Sequence, residues 1–327
     1  MGIRTERTGP RTSQLTCVGV IKSIECLIVD HPSLHGREFT FPVPEDGPRR
    51  LRDEEAAQPE VMDPCLISLA RSVAGAVGFV ATHVRPDVYF AYCVLARYMG
   101  PRLTKYAFKL IIRMAHYLVS AMHMPLVIHS GEPSAEVGDG VFDIYCDSSH
   151  GNAPDGHSYG GFVLMHRGGG ALAWKCRVQG FPTDSPGAQE LLMASLAYRW
   201  TLALRMLVAD LDVGVGQDDP TPLWTDFQIL LDGTNCERLG KSSRWLAARY
   251  AMIRFGIACR AIFPRKCPAA ENVADIVTKP LAGVAYARHR ATILGLSHAI
   301  GLVREARWGP APGEAAWPGG RGRRSGA

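Results

Sequence analysis

No apolar run in this 327-residue chain approaches the ~18 to 20 residues that a membrane span requires. The opening GIRTERTGPRTSQ also lacks the apolar core of a signal peptide. A soluble, intracellular protein with no membrane partner is therefore expected, cytoplasm and nucleus being equally compatible. Cysteines at CxxC spacing are absent too. The nine cysteines are an odd number and sit mostly inside apolar runs, which excludes a disulfide framework or a zinc site and fits buried thiols in a reducing compartment. Charge of one sign is scarce: a net +5 makes a weak field that permits a nucleic-acid partner without demanding one. Asp184-Ser185 has no His and Asp at triad-like spacing, so serine-hydrolase chemistry drops out. The glycines at 168–170 lie between two strand-like runs and open no helix, which makes them a hairpin turn and not a phosphate loop.

What is present is a globular composition, 47% hydrophobic and 20% charged, with length for one large or two ordinary domains. Residues 1–64 hold short apolar runs between Pro and Gly breakers, too short to enclose a core alone. Over 65–99 apolar residues recur at helical spacing, interrupted at Val84-Arg85-Pro86-Asp87, where the proline stops one helix and Asp87 can cap the next. Residues 104–123 complete a helical subdomain over 65–128. Their Lys105, Lys109 and Arg113 fall at i, i+4 and i+8, opposite Leu110, Ile111, Met114 and Leu118. That basic stripe is either a solvated face or a track for a phosphate backbone. The breaker-rich 129–140 then separates this helical periodicity from a strand-like one, so the helices should pack beside the sheet domain.

The sheet domain is organised around VFDIYCDSSH at 141–150. Phe142, Ile144 and Cys146 alternate with Asp143 and Tyr145, a strand with one buried face that delivers Asp147 at its carboxyl end, where α/β sheets build their sites. Runs at 161–166 and 171–176 are two more strands, followed by a long apolar helix at 188–209 and a fourth strand at 221–225 that ends at Asp226. A helix at 242–255, a fifth strand at 257–263 and a helical close from 272–278 complete the order βββαβαβα. The fold class is α/β, a mixed five-stranded sheet with strands one, four and five parallel and strands two and three antiparallel at one edge.

Asp147 and Asp226 then share a rim, joined by Glu190 and Asp275 from the first turns of two helices. Any one of the 31 acids in such a place is ordinarily a turn residue or a helix cap. Four at matching element ends are a candidate catalytic and metal-binding set. Oxygen ligands without His or Cys suit Mg²⁺ or Mn²⁺. Two such ions ~3.5 to 4 Å apart can activate water and stabilise the leaving oxygen of a phosphodiester. His150 and His157, in a Gly, Asn and Ser-rich loop, read as solvated. Residues 282–307 continue as a helix. The Gly, Pro and Arg-rich 308–327 is expected to be disordered, with Arg321, Arg323 and Arg324 available to nucleic acid.

Over about 65–281 the chain resembles the C-terminal part of the Pol polyprotein of copia-type retrotransposons, the end of the reverse transcriptase followed by its RNase H domain. The matching stretches are Val84-Arg85-Pro86-Asp87 with FAYCVLARYM, Tyr145-Cys146-Asp147, GGGALAWK at 168–175 and, most specific, ADIVTKPL at 274–281. The resemblance implies an RNase H-like fold with Asp147, Glu190, Asp226 and Asp275 as catalytic and metal-binding acids. It also implies two Mg²⁺ or Mn²⁺ ions, an RNA–DNA hybrid as substrate, the remainder of a Pol polyprotein as partner, and residues 1–64 as a remnant of the reverse transcriptase. The chain departs from the family at 184–188 (DSPGA for a Ser-Ser-Thr-Glu run), at Phe227 (for Asn) and at Trp245 and Ala247 (for His and Asp). These positions bear on substrate grip more than on metal ligation. No Tyr-x-Asp-Asp sequence is present, so no polymerase site is expected. Function is then a metal-dependent ribonuclease H, against two alternatives: a catalytically silent RNase H-like module that binds nucleic acid or protein, and a strand-transfer nuclease, which the ADIVTKPL ending disfavours.

Overall fold

The structure, a computed structural model, describes residues 2–29, 39–57, 62–129, 141–151, 153, 157–167, 169–180, 185–211, 219–235 and 245–296. The chain opens with a hairpin, β1 (Arg4–Gly9) and β2 (Thr12–Thr16), whose second strand pairs antiparallel with β3 (Leu126–His129). Between them run α1 (Val18–Ile28), α2 (Gly47–Ala56), α3 (Pro64–His83), α4 (Tyr89–Leu95) and α5 (Lys105–Ser120). Local signals set two of these starts. Asp63 accepts from the Cys65 amide at 2.7 Å ahead of Pro64, and Thr104 accepts from the Ala107 amide at 3.0 Å. The first 64 residues do not enclose a core of their own, but Ile21, Ile24, Ile28 and Leu51 are buried in the core of α3, α4 and α5.

The second sheet holds β4 (Phe142–Ser149), β5 (Tyr159–His166), β6 (Ala171–Val178), β7 (Thr221–Thr225) and β8 (Ile262–Lys266), in the spatial order β6-β5-β4-β7-β8. The pairs β4–β5 and β5–β6 are antiparallel, and β4–β7 and β7–β8 are parallel. This is the mixed five-stranded α/β arrangement expected. One face packs on α6 (Pro186–Asp210) and α8 (Ala247–Ala258) through Phe142, Ile144, Cys146, Leu191, Ala194 and Ile253. The other carries Tyr159, Val163 and Cys176 into the helical core, together with α9 (Gly283–Ile293). Trp174 on β6 donates to the Ala81 carbonyl on α3 at 2.9 Å, fastening helices to sheet.

Several expectations need correction. Asp87 caps no helix: the Arg85 guanidinium, two residues earlier, grips it at 2.7 and 2.8 Å, and Tyr117 of α5 donates to it at 2.6 Å. The fifth strand starts at Ile262 rather than 257, because α8 runs on to Ala258 before Arg260, in the left-handed region at φ 57°, turns the chain. The apolar run IACRAIF supports either element; its first two residues continue α8, whose Tyr250, Ile253 and Gly256 are buried. A short helix, α7 (Gln228–Asn235), follows β7 unannounced, its Asp, Gly and Asn content masking it. The expected shortness of apolar runs also fails. Both α3 and α6 are long and apolar enough to cross a membrane, with mean hydropathies of 1.6 and 1.3, and both bury one side against the cores. The tail at 308–327 lies outside the described residues.

Candidate metal centre

Asp147 stands on β4 opposite Gly161 of β5 and is 1% exposed. The parallel register that pairs Tyr145 with Trp224 brings Asp226, just beyond β7, level with it. Glu190 comes from the second turn of α6, since this helix begins at Pro186 and not at 188. Ligand oxygens of Asp147, Glu190 and Asp226 lie within 4.8 Å of one another. Asp275 is on the same rim, on a 3-10 turn (Val273–Val277), but an ammonium separates it from the other acids. Lys279 Nζ lies 2.7 Å from Asp275 Oδ1 and 3.2 Å from Asp147 Oδ1.

Each acid is held by neighbours that the sequence alone did not single out. The Ser148 amide and hydroxyl donate to Glu190 Oε1 at 2.9 and 3.0 Å, while Glu190 Oε2 is buried without a hydrogen-bond partner among the described residues. Thr278 donates its hydroxyl to Asp147 Oδ2. Asn272 Nδ2 donates to the Cys146 carbonyl at 3.1 Å and to Asp226 Oδ1 at 3.4 Å, tying the 3-10 turn to both parallel strands. Of these, Thr278 and Lys279 were legible in principle. Both lie in ADIVTKPL, and Lys279 is four residues after Asp275, the spacing at which side chains meet on one face.

Electrostatically the rim is crowded with negative charge. Burial, then repulsion from Asp147, pushes the Glu190 carboxyl well above the usual range. The same two causes lift Asp275 to about 7. Burial also raises Asp147, with Lys279 and Thr278 opposing. Burial works against the Lys279 charge, but Asp147 and Asp275 outweigh it and keep the ammonium protonated. An unpartnered buried carboxylate oxygen beside two further acids is the donor set of a hard divalent cation, so the residues present fit Mg²⁺ or Mn²⁺.

The basic stripe is divided. Lys105 and Lys109 are exposed on α5, whereas Arg113 is half-buried between Phe39 and Phe41, at 4.2 and 4.8 Å from the ring centres, and donates to the Phe41 carbonyl at 3.3 Å. Arg113 is thus engaged within the helical core and leaves the stripe. His150 is exposed, its ring nitrogen 3.2 Å from Gln189 Oε1. Phe227 packs beside Gly187 at the start of α6, where an added Cβ would come 2.9 Å from its ring.

No protein-family model matches the chain, and no curated protein sequence does. Among solved structures it is similar to LC11-RNase H1 in complex with an RNA/DNA hybrid, at 17% identity over 42% of this chain and 93% of that one, with a TM-score of 0.32. It is similar to RNase H1 from the halophilic archaeon Halobacterium salinarum NRC-1, at 20% identity over 42% and 93%, with a TM-score of 0.30. A third similarity is to the foamy viral protease-reverse transcriptase in complex with an RNA/DNA hybrid, at 14% identity over 72% of this chain and 28% of that one, with a TM-score of 0.32.

Proposed function

We propose that this chain is a metal-dependent ribonuclease H that hydrolyses the RNA strand of RNA–DNA hybrids, within the Pol polyprotein of a copia-type retrotransposon. One observation carries the reading: buried Asp147 and half-buried Asp226, at the carboxyl ends of two parallel strands, and buried Glu190 of α6 offer oxygens within 4.8 Å of one another. Asp147, Glu190 and Asp226 would hold the cation, with Asp275 completing the set for a second. The chemistry supplied by Mg²⁺ or Mn²⁺ in such a site is Lewis-acid polarisation of the phosphodiester and of the attacking water. The chain's own part is preorganisation. Ser148 fixes one oxygen of Glu190 and leaves the other for ligation, Thr278 orients Asp147, and Asn272 holds Asp226 against β4. Hybrid would be gripped through phosphates, with Lys105 and Lys109 as candidates on α5.

The copia origin rests on Val84–Asp87, Tyr145–Asp147, 168–175 and 274–281 of the sequence. Incubating the purified chain with a hybrid labelled on its RNA strand, with Mg²⁺, with Mn²⁺ and with chelator, tests the activity: RNA cleavage that requires the cation is expected. Binding of the hybrid with no cleavage in either metal would favour the silent module instead. For that module speak Lys279, already paired to two of the four acids, and Phe227, where the family has Asn.

A further inference from the structure

Four carboxylates share this rim, and among the described residues one lysine, Lys279, is ion-paired to any of them. Its place is built in. The Lys279 amide donates to the Asp275 carbonyl at 2.9 Å, closing a turn that sets the two side chains one above the other, and Pro280 restricts the backbone that follows. The ammonium then sits between the side chains of Asp275, 13% exposed, and of Asp147, buried, while Lys279 itself keeps 32% of its side chain in solvent. Asp147 Oδ2 is meanwhile taken by Thr278. Asp147 Oδ1 is therefore the oxygen that Lys279 and any cation at the Asp147–Asp275 edge would both need. At the Asp147–Glu190–Asp226 edge, by contrast, Glu190 Oε2 has no partner.

We propose that Lys279 is a built-in counter-ion that competes with a divalent cation for the Asp147–Asp275 edge, making the two edges unequal. The proposal rests on the metal-binding reading above. Repulsion among buried carboxylates is relieved by positive charge, and in the cation-free chain a lysine held by its own turn supplies it without association. A divalent cation at that edge displaces the single charge of Lys279. The side chain has a route out, being partly in solvent on a flexible four-carbon stem. The Glu190 edge offers the open Glu190 Oε2, so a cation there contends with Lys279 for Asp147 alone, whereas at the other edge it contends for both acids. Lys279 thus sets how much free cation the chain needs before the second position fills.

The test is calorimetric titration of the full chain with Ca²⁺ and with Mn²⁺, without nucleic acid, in wild type, Lys279→Met and Lys279→Arg. Wild type should show a tighter and a weaker cation. Lys279→Met should tighten the weaker one by about tenfold or more, because a unit charge within ~4 Å of the cation is gone, and Lys279→Arg should stay near wild type. If Lys279→Met fails to fold, amine acylation of wild type followed by mass spectrometry decides: Ca²⁺ should speed modification of Lys279 relative to exposed Lys109. Equal affinities and stoichiometries in wild type and folded Lys279→Met would overturn the counter-ion while leaving the metal site. Bound Ca²⁺ with unchanged Lys279 acylation would do the same. No cation bound by any variant up to about 10 mM, far above the range of functional Ca²⁺ sites, would overturn the metal-binding reading and the proposal with it.

Discussion

Gly161→Ala is expected to damage the candidate metal centre without touching an acid. Gly161 pairs with Asp147 on one side and Cys176 on the other. A Cβ there would come 2.7 Å from the Lys175 carbonyl oxygen and 2.9 Å from methyls of both Val277 and Thr278. All three are inside van der Waals contact, which for carbon pairs lies near ~3.5 Å. None can retreat cheaply: the carbonyl belongs to the adjacent strand, and Val277 and Thr278 are fully buried on the turn that carries Asp275. Overpacking of this kind costs about 1–3 kcal/mol. Alanine returns ~0.4–1 kcal/mol by restricting the unfolded chain, leaving a net loss of up to about 2.6 kcal/mol. Urea unfolding should show a lower midpoint at unchanged slope. Gly180→Ala, where a Cβ meets nothing within 4 Å, is the control and should be neutral or slightly stabilising. Because the displaced turn bears Thr278 and Asp275, Ca²⁺ binding should weaken as well. A Gly161→Ala protein as stable as Gly180→Ala, with unaltered Ca²⁺ affinity, would refute the idea that this glycine admits the turn.

Asp147→Asn keeps the shape of the central ligand and removes its charge, so hybrid binding should persist while RNA cleavage falls ~10²-fold or more, in line with other single electrostatic deletions; full retained activity would place the chemistry elsewhere. Glu190→Gln should raise the urea midpoint of chelated protein above about pH 5: a carboxyl lifted by burial and Asp147 costs stability wherever the unfolded chain would ionise it, and protonation removes that cost in acid. The same variant should lose much of the stabilisation that Ca²⁺ gives wild type, as measured by thermal unfolding with and without the cation. Asp87→Asn breaks a buried pair and should cost ~3–5 kcal/mol in urea unfolding at neutral pH. Burial alone would raise the Asp87 carboxyl, but Arg85 outweighs it and holds it below the usual range. Its contribution is therefore complete above about pH 4 and vanishes as pH falls further, so the stability gap between wild type and Asp87→Asn should narrow there. Replacing Lys105 and Lys109 by Gln should flatten the salt dependence of hybrid binding, measured by anisotropy; an unchanged slope would make them a solvated face.

The sheet was legible because β4 alternates, the other strands are short apolar runs between breakers, and the connections leave few topologies. Phe142, Ile144 and Cys146 face α6, while Asp143, Tyr145 and Asp147 face away, as a period of two requires. The acids were legible because the carboxyl ends of parallel strands share a rim, which puts Asp226 level with Asp147 from connectivity alone. What escaped was set by tertiary contact. The β1–β2 hairpin needs β3, more than a hundred residues on, to complete its sheet, and no local pattern announces that partner. Arg113 has the spacing of a stripe residue, yet Phe39 and Phe41 claim it from a segment without helical or strand periodicity. Lys279 escaped for another reason: a lysine after a turn reads as solvated until its two carboxylate neighbours are in place.

Such neighbours depend on the helices as much as on the sheet. The turn bearing Asp275 has five residues in 3-10 geometry, too few to hold its shape by its own hydrogen bonds. Its stability comes from Val273, Ala274, Ile276 and Val277, all buried in the core shared with α3, α4 and α5. Directly beneath lies the Arg85–Asp87 pair, and Tyr286 of α9 donates to the Asp87 carbonyl at 3.2 Å and to Tyr117 at 2.9 Å. The segments that a change of periodicity at 129–140 separates in sequence therefore meet across one apolar core, and the site stands on that junction. The helical layer thus bears on the candidate metal centre by packing beneath the turn that carries Asp275.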